Sequence, residues 1–398
     1  MTERRVCIVG AAAVRVERHA EYKGVRHGLP EAGLLAKVAF DALAEAGLSN
    51  RDVDSAVFTP AMPDAPQQGF ATHMAARLGL KCHGQLSEVL QMGITGGLAF
   101  DQAAADILLG RARVALALGV AYPTASNPAR GMEMGLRVVG DAEFQAPFGA
   151  TPIAWYALDA ARYLFETKAR REDLAAVAVK SRAFARLNPL AQFQERLTLE
   201  QVLNARQIVE PLGLYDVPAI ADGAVCLVLA EAGIARELNK PAISMRGRGF
   251  CHDGHHQIGA TPHDITAYPA LREAAGTALK DSGLKLADID FAELYAPCSI
   301  TEVLASEAIG WFARGHGAAA AAAGETALNG PIPLNTSGGC LSRGHPPVLT
   351  ALYGLVELRE QLLLRAGGRQ VASAELALAT CEGGNYNTTL VHIFQGPQ

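Results

Sequence analysis

Apolar residues along the chain fall into two alternating kinds of run. Short stretches such as Val6-Cys7-Ile8-Val9, Ser55 to Phe58 and Val114 to Leu118 read as buried strands, whereas Ala42 to Leu48 has helical spacing and stops at Gly47, a residue suited to the left-handed position that closes a helix. This set returns further on at an offset of 236 positions. Ala42-Leu43-Ala44-Glu45-Ala46-Gly47-Leu48 matches Ala278-Leu279-Lys280-Asp281-Ser282-Gly283-Leu284, and Arg51-Asp52-Val53-Asp54 matches Ala287-Asp288-Ile289-Asp290. The apolar runs Ser55 to Phe58 and Phe291 to Leu294 then follow, and each copy opens with a strand, Arg5 to Val9 or Ile243 to Gly247. Helix, glycine stop, acidic turn and strand in the same order twice predict a duplicated α/β fold with layered sheets.

A second series fills each half. The first runs through strand Gln85 to Val89, helix Gly96 to Leu109 and strand Val114 to Leu118; the second through strand Ile332 to Asn335, a helix from about Pro346 to Leu364 and strand Glu375 to Thr380. Residues 121–210 are too long for a simple connection and carry helical periodicity at Ile153 to Thr167 and Arg171 to Ala185, so they read as a loop domain inserted into the first half. The expected division is 1–242 and 243–398. The alanine run Ala318 to Ala323 reads as a helix end or loop.

Composition narrows the function classes. The 398 residues are 50% apolar and 19% charged, which excludes disorder as the main state, and no apolar run reaches the ~18 residues a membrane span needs. A net charge of -5 with scattered Lys and Arg offers nothing for nucleic acid to bind. Met1 leads into Arg4, Arg5 and a strand with no signal-peptide pattern, so a cytoplasmic location is expected. Seven cysteines without a C-x-x-C pair read as reduced thiols, with Cys7, Cys226 and Cys340 as packing residues. Cys251-His252-Asp253-Gly254-His255-His256 matches no metal-ligand spacing and reads as a polar loop, so no metal is expected.

Candidate chemistry lies near the C-terminus. Asn335-Thr336-Ser337-Gly338-Gly339-Cys340-Leu341-Ser342-Arg343-Gly344-His345-Pro346 frames His345 between Gly and Pro where a strand gives way to a helix. Cys381-Glu382-Gly383-Gly384 follows the last predicted strand, with glycines that let backbone N–H groups approach a ligand. A Cys and a His on opposite loops at strand ends form a reactive pair.

With Phe148-Gly149-Ala150-Thr151-Pro152, Glu172-Asp173-Leu174-Ala175, Asn188-Pro189 and Asp222-Gly223-Ala224, these motifs resemble the thiolase superfamily over essentially the whole chain, and most closely its sterol-carrier-protein thiolase and lipid-transfer-protein branch. The resemblance implies a five-layered α-β-α-β-α fold. It also implies a cysteine nucleophile at a buried helix N-terminus, but aligning Thr95-Gly96 with the family's Ser/Thr-Gly puts Gly93 at that position, and Cys82 lies too far upstream to replace it. The lipid-transfer-protein aldolases of the family lack the nucleophile too and carry a Tyr where this chain has Tyr295; they cleave β-hydroxyacyl-CoA thioesters by a retro-aldol step.

Carried over, the resemblance implies an acyl-CoA carbon–carbon lyase. Tyr295, His345 and Cys381 would be its catalytic residues, and Gly93 and Gly383 its backbone donors to the thioester oxygen. An acyltransferase or Claisen-type thiolase using Cys381 and His345, and a non-catalytic lipid-binding or partner subunit, are the alternatives. The resemblance further implies a coenzyme A thioester as substrate with no covalently bound cofactor, a homodimer, and a small partner protein with a zinc ribbon and an oligonucleotide-binding-like barrel.

Overall fold

The computed structural model describes residues 5–19, 30–60, 67–125, 137, 141–254 and 264–397. Among these residues the strands are β1 (Val6–Ala13), β2 (Ser55–Thr59), β3 (Gln85–Glu88), β4 (Val114–Ala121), β5 (Gln207–Val209), β6 (Leu212–Gly213), β7 (Gly223–Glu231), β8 (Ile243–His252), β9 (Phe291–Glu293), β10 (Leu376–Gly383) and β11 (Thr388–Gln395). The helices are α1 (Pro30–Ala46), α2 (Phe70–Leu78), α3 (Thr95–Leu108), α4 (Pro152–Thr167), α5 (Arg171–Ala185), α6 (Leu199–Leu203), α7 (Ala232–Glu237), α8 (Pro269–Ser282), α9 (Ser299–Ile309), α10 (Gly317–Ala322) and α11 (Thr350–Leu362).

Side-chain alternation along the strands defines the layers. In β4, Val114, Leu116 and Leu118 join one apolar cluster with α1 and α2, while Ala115 and Ala117 join a second with α3 and α11. β7 repeats this, with Cys226 and Val228 on the first side and Leu227 and Leu229 on the second. In the other half Phe291 of β9 and Ala377 of β10 reach the same α3–α11 cluster, and Ala292 and Leu378 turn outward to α4, α5, α8 and α9. The order is therefore helices, strands, helices, strands, helices, with α3 and α11 in the middle. Both strand layers belong to one mixed ladder, β3-β2-β4-β7-β1-β8-β11-β10-β9, joined only by the pairs Cys7↔Ser244 and Ile8↔Ile243.

The repeat seen in sequence recurs in the architecture. α1 stops at Gly47 (φ 74) and α8 at Gly283 (φ 70), and 3-10 turns at Asn50–Asp52 and Leu286–Asp288 lead into β2 and β9. Gly10 of β1 packs against the Ala42 carbonyl and Ala46, just as Gly247 of β8 packs against the Ala278 carbonyl and Ser282. Only a residue without Cβ permits this approach of strand to helix. Each glycine follows a one-residue bulge, at Val9 against β7 and at Arg246 against β11. The strand equivalence therefore lies one residue earlier than the sequence reading, so that Arg5 to Val9 corresponds to Ala242 to Arg246.

The predicted strand Ile332 to Asn335 does not form; it makes a single bridge, Leu334 to Ala292. Pro331 and Pro333 remove two of the N–H donors a ladder would need, and β3 has no full counterpart in the second half. The helix expected from about Pro346 begins as a 3-10 turn at Pro347–Leu349 before α11. β7, β11 and α9 are elements the sequence reading did not anticipate.

Candidate active site

Register brings the chemistry together. β9 and β10 run parallel with Glu293 opposite Ala379, so two residues beyond, Tyr295, just past the end of β9, and Cys381, inside β10 and not after the strand as its sequence suggests, stand side by side on the middle-layer face. The Tyr295 N–H donates to Thr380 Oγ1 (2.9 Å), and its carbonyl accepts from the Tyr386 hydroxyl. Cys381 Sγ lies 3.5 Å from the Gly93 carbonyl oxygen, and its side chain occupies the space a Cβ on Gly97 would need.

Gly93 sits in the turn that leads into α3. Met92 before it is left-handed (φ 46), and the Thr95 hydroxyl ties the turn by accepting from the Gln91 N–H (2.8 Å) and donating to the Met92 carbonyl (2.7 Å). A Cβ on Gly93 would stand 2.7 Å from the Tyr295 hydroxyl oxygen and 2.7 Å from the Glu382 carbonyl. The tyrosine hydroxyl thus fills the place a side chain at position 93 would take. Gly383, opposite Thr388 in the β10–β11 pair, faces Ile94 and Met92 across the same turn.

His345 is fixed by its main chain, which donates to the Ala219 carbonyl (3.1 Å) and accepts from the Ala221 N–H (3.2 Å). Its ring stands edge-on to Tyr295, with centroids 5.8 Å apart at 85°. Nδ1 is 2.9 Å from Thr350 Oγ1, and that hydroxyl donates to the Pro346 carbonyl (3.2 Å). With the threonine proton spent there, Nδ1 carries the imidazole proton and Nε2 is the acceptor.

All three side chains are held neutral. Burial, with Arg343 adding to it, pushes the His345 pKa down to about 3. Burial pushes the Cys381 thiol and the Tyr295 hydroxyl well above their ordinary values, and the neighbouring Glu382 raises both further. Below them lies a buried charge chain: Arg343 stands 3.7 Å from Glu293, Arg369 pairs with Glu357 (2.9 Å), and Lys180 pairs with Glu302. Glu302 holds the Asn335 amide (2.8 Å), whose oxygen accepts from the Leu294 N–H (2.7 Å) one residue before Tyr295. Glu293 is pushed up to about 7 by burial and by Glu357, against the pull of Arg343 and Ser337.

The sequence reading missed the groups on the opposite face of β10. Glu382 accepts from the Tyr156 hydroxyl (3.0 Å) and the Tyr386 N–H (3.1 Å), while Asp159 accepts from Tyr268 (3.0 Å) and the Asn385 amide (2.8 Å). Burial raises both carboxyls to about 7. A signal was present: Asp159 falls on the helical stripe of Tyr156, Ala160 and Tyr163, and Glu382 stands alone in an apolar strand end.

Other candidates stay apart from this centre. Cys82 is half-buried beside Asp54, and Cys7 and Cys226 are buried; Cys340, also buried, is the exception, since it lies close to Tyr295, Cys381 and Glu382. Cys251 is pushed up to about 11 by burial and by Glu273; His255 and His256 lie outside the described residues. Among the described residues no group of three or more His, Cys, Asp or Glu is placed to hold a metal, and no helix is long and apolar enough to cross a membrane.

Comparison with known proteins gives a consistent picture. The thiolase N-terminal domain model matches residues 6–233, and the thiolase C-terminal domain-like model matches 252–396. A steroid side-chain-cleaving aldolase of Thermomonospora curvata is 33% identical, with 90% of this chain and 91% of the relative covered. An acetyl-CoA acetyltransferase of Methanothermobacter thermautotrophicus is 35% identical over 75% of this chain and 77% of the relative. A benzoylsuccinyl-CoA thiolase subunit of Thauera aromatica is 28% identical over 93% and 92%. Among solved structures, an Ltp2-ChsH2(DUF35) aldolase superposes with a TM-score of 0.84 at 28% identity over 98% of each chain. A human mitochondrial 3-ketoacyl-CoA thiolase has the same fold, with a TM-score of 0.71 at 18% identity over 99% of this chain and 98% of that one.

Proposed function

Since this chain belongs to the thiolase family, we propose that it is an acyl-CoA carbon–carbon lyase that cleaves a β-hydroxyacyl-CoA, of lipid or steroid side-chain type, by a retro-aldol step without an acyl-enzyme. One observation carries the reading: the Tyr295 hydroxyl lies against Gly93, where a nucleophile's side chain would have to be. The aldolase relatives support the same chemistry.

In the reaction, the β-hydroxyl proton passes to Tyr295 as the Cα–Cβ bond breaks. A ketone or aldehyde forms, and the bonding pair moves to Cα as an enolate. The Gly93 and Gly383 N–H groups hold the thioester oxygen as it becomes charged. Cys381, kept as a thiol by burial, returns a proton to Cα and releases the shortened acyl-CoA. Neutral His345, with Nε2 as acceptor, sits against the Tyr295 ring and orients the reacting hydroxyl. The buried phenol is neutral, so it takes the hydroxyl proton only as it passes its own to Cys381 Sγ while that thiol gives its proton to Cα. One relay couples hydroxyl deprotonation, bond cleavage and protonation of Cα, and both side chains end neutral as they began.

The substrate is a coenzyme A thioester, and no covalent cofactor takes part. The chain works as a homodimer, together with a small partner protein carrying a zinc ribbon and an oligonucleotide-binding-like barrel, in the cytoplasm. The naming of one structural neighbour with ChsH2(DUF35) and of one relative as a subunit supports a partner.

The test is product analysis by mass spectrometry on panels of β-hydroxyacyl-CoA and β-ketoacyl-CoA thioesters, with and without neighbouring gene products. Release of a ketone or aldehyde with a shortened acyl-CoA is expected, and the intact protein should gain no acyl mass. The acetyltransferase relative favours a second reading, acyl transfer through Cys381 and His345. A stable acyl adduct on Cys381 would establish that reading instead, and an adduct on Cys82 would show that the alignment at Gly93 is misplaced.

A further inference from the structure

The turn after β10 is unusual in its backbone. Gly384 (φ 63), Asn385 (φ 61) and Tyr386 (φ 63) are left-handed in succession, and two of them carry side chains. Such residues persist only where their surroundings over-determine them. Here Glu382 holds the Tyr386 N–H, Asp159 holds the Asn385 amide, and the Tyr268 ring stacks on Tyr386 with centroids 4.8 Å apart at 18°.

The fixed Tyr386 hydroxyl then donates to the Tyr295 carbonyl, while Thr380 Oγ1 takes the Tyr295 N–H (2.9 Å) and lies 3.3 Å from the same tyrosine hydroxyl. Both main-chain groups of Tyr295 are therefore held by one strap. It begins at Tyr156 on α4, passes through the Glu382 carboxyl, and includes Gly383.

We infer that Glu382 is a positioning residue for the lyase step: through Tyr386 it sets the Tyr295 hydroxyl against Gly93 and, through the same turn, sets Gly383 beside it. This inference rests on the retro-aldol reading for its rate effect but not for its structural effect. Glu382 touches no reacting atom, because its side chain and that of Cys381 point to opposite faces of β10. Glu382→Gln keeps the shape but turns an amide N–H toward at least one of the carboxyl's donors, the Tyr156 hydroxyl and the Asn385 and Tyr386 N–H groups.

The test combines kinetics with tyrosine 13Cζ NMR on the full chain, the Tyr295 signal being assigned by its loss in Tyr295→Phe. Glu382→Gln is expected to lower kcat about 100-fold, the scale of a small misplacement of reacting groups, with KM changed less than about twofold. Tyr386→Phe, a milder change that removes only the hydroxyl, should lower kcat in the same direction. In a Tyr295→Phe background, Glu382→Gln should lower kcat less than about twofold further, since residues acting in one chain are not additive.

The Tyr295 signal should shift in both single variants. If Glu382→Gln leaves kcat within about twofold of the parent, or lowers it equally with Tyr295 already removed, the inference is wrong. Should the parent cleave no β-hydroxyacyl-CoA at all, the proposed function fails, and the NMR result decides the positioning role alone. A Tyr295 signal unmoved by Tyr386→Phe overturns it even if Glu382→Gln fails to fold.

Discussion

The two helices of the middle layer are approached in opposite ways. The chain enters α3 through a short turn, Gln91 to Ile94, tied by the Thr95 hydroxyl and by the Cys381 thiol at the Gly93 carbonyl. It enters α11 through the long segment Asn335 to Leu349, whose side chains reach Glu293, Glu302 and Thr350. One duplicated scaffold thus brings bare backbone from its first half and a set of polar side chains from its second. Losing a side chain at Gly93 leaves the second set in place, so the site can change reaction type without being dismantled.

The largest expected effect tests the side-chain half. Tyr295→Phe should lower kcat by about 10²- to 10⁴-fold in steady-state assays on a β-hydroxyacyl-CoA, with the fold retained. If turnover is unchanged, the second half does not supply the base. Next, Arg343→Met leaves Glu293 buried without its cation, and denaturant titration should show a loss of about 3–5 kcal/mol. On the backbone side, Thr95→Val removes one acceptor and one donor from the turn before α3, and the same titration should show about 1–3 kcal/mol. If Thr95→Val costs more than Arg343→Met, the contrast between the two approaches is inverted.

A smaller effect appears only as pH changes. The folded His345 pKa of about 3 lies below the ordinary value of 6.5, so its contribution to stability is present above pH 6.5 and is lost as pH falls towards 3. His345→Asn cannot take up that proton. The stability difference between parent and variant should narrow by roughly 2 kcal/mol between pH 7 and pH 5. Glu293 and Glu382 run the other way: with folded pKa values raised to about 7, their contribution is present at low pH and is lost as pH rises to 7. Measuring both proteins at each pH cancels that common trend.

Much of this molecule was legible in its sequence, and the failures have physical causes. The helix-glycine-strand unit could be read because its signals are local: Gly47 and Gly283 end helices whose apolar faces repeat every three or four residues. β7 is an unbroken apolar run and resists assignment by periodicity, since both its faces are buried. Ile332 to Asn335 looks like a strand by composition, and its prolines decide otherwise. Tyr295, His345, Cys381, Gly93 and Gly383 could be named from motifs, but their neighbourhood arises from the register of β9 against β10. The Glu382 strap depends on contacts such as Tyr156 to Glu382, 226 positions apart, which no local pattern encodes.

The mutual exclusion between Gly93 and the Tyr295 hydroxyl also restricts how such a site can arise by descent. A bulky side chain at position 93 and a tyrosine at 295 compete for one volume, so any lineage connecting a nucleophile-bearing ancestor to this chain has to empty position 93 before the tyrosine can settle against it. The return route carries the same toll in reverse order, and the Glu382 carbonyl, equally close to position 93, resists it a second time. In each direction one of the two possible first substitutions meets a collision and the other does not, so the order of the two changes is constrained while the path stays open both ways.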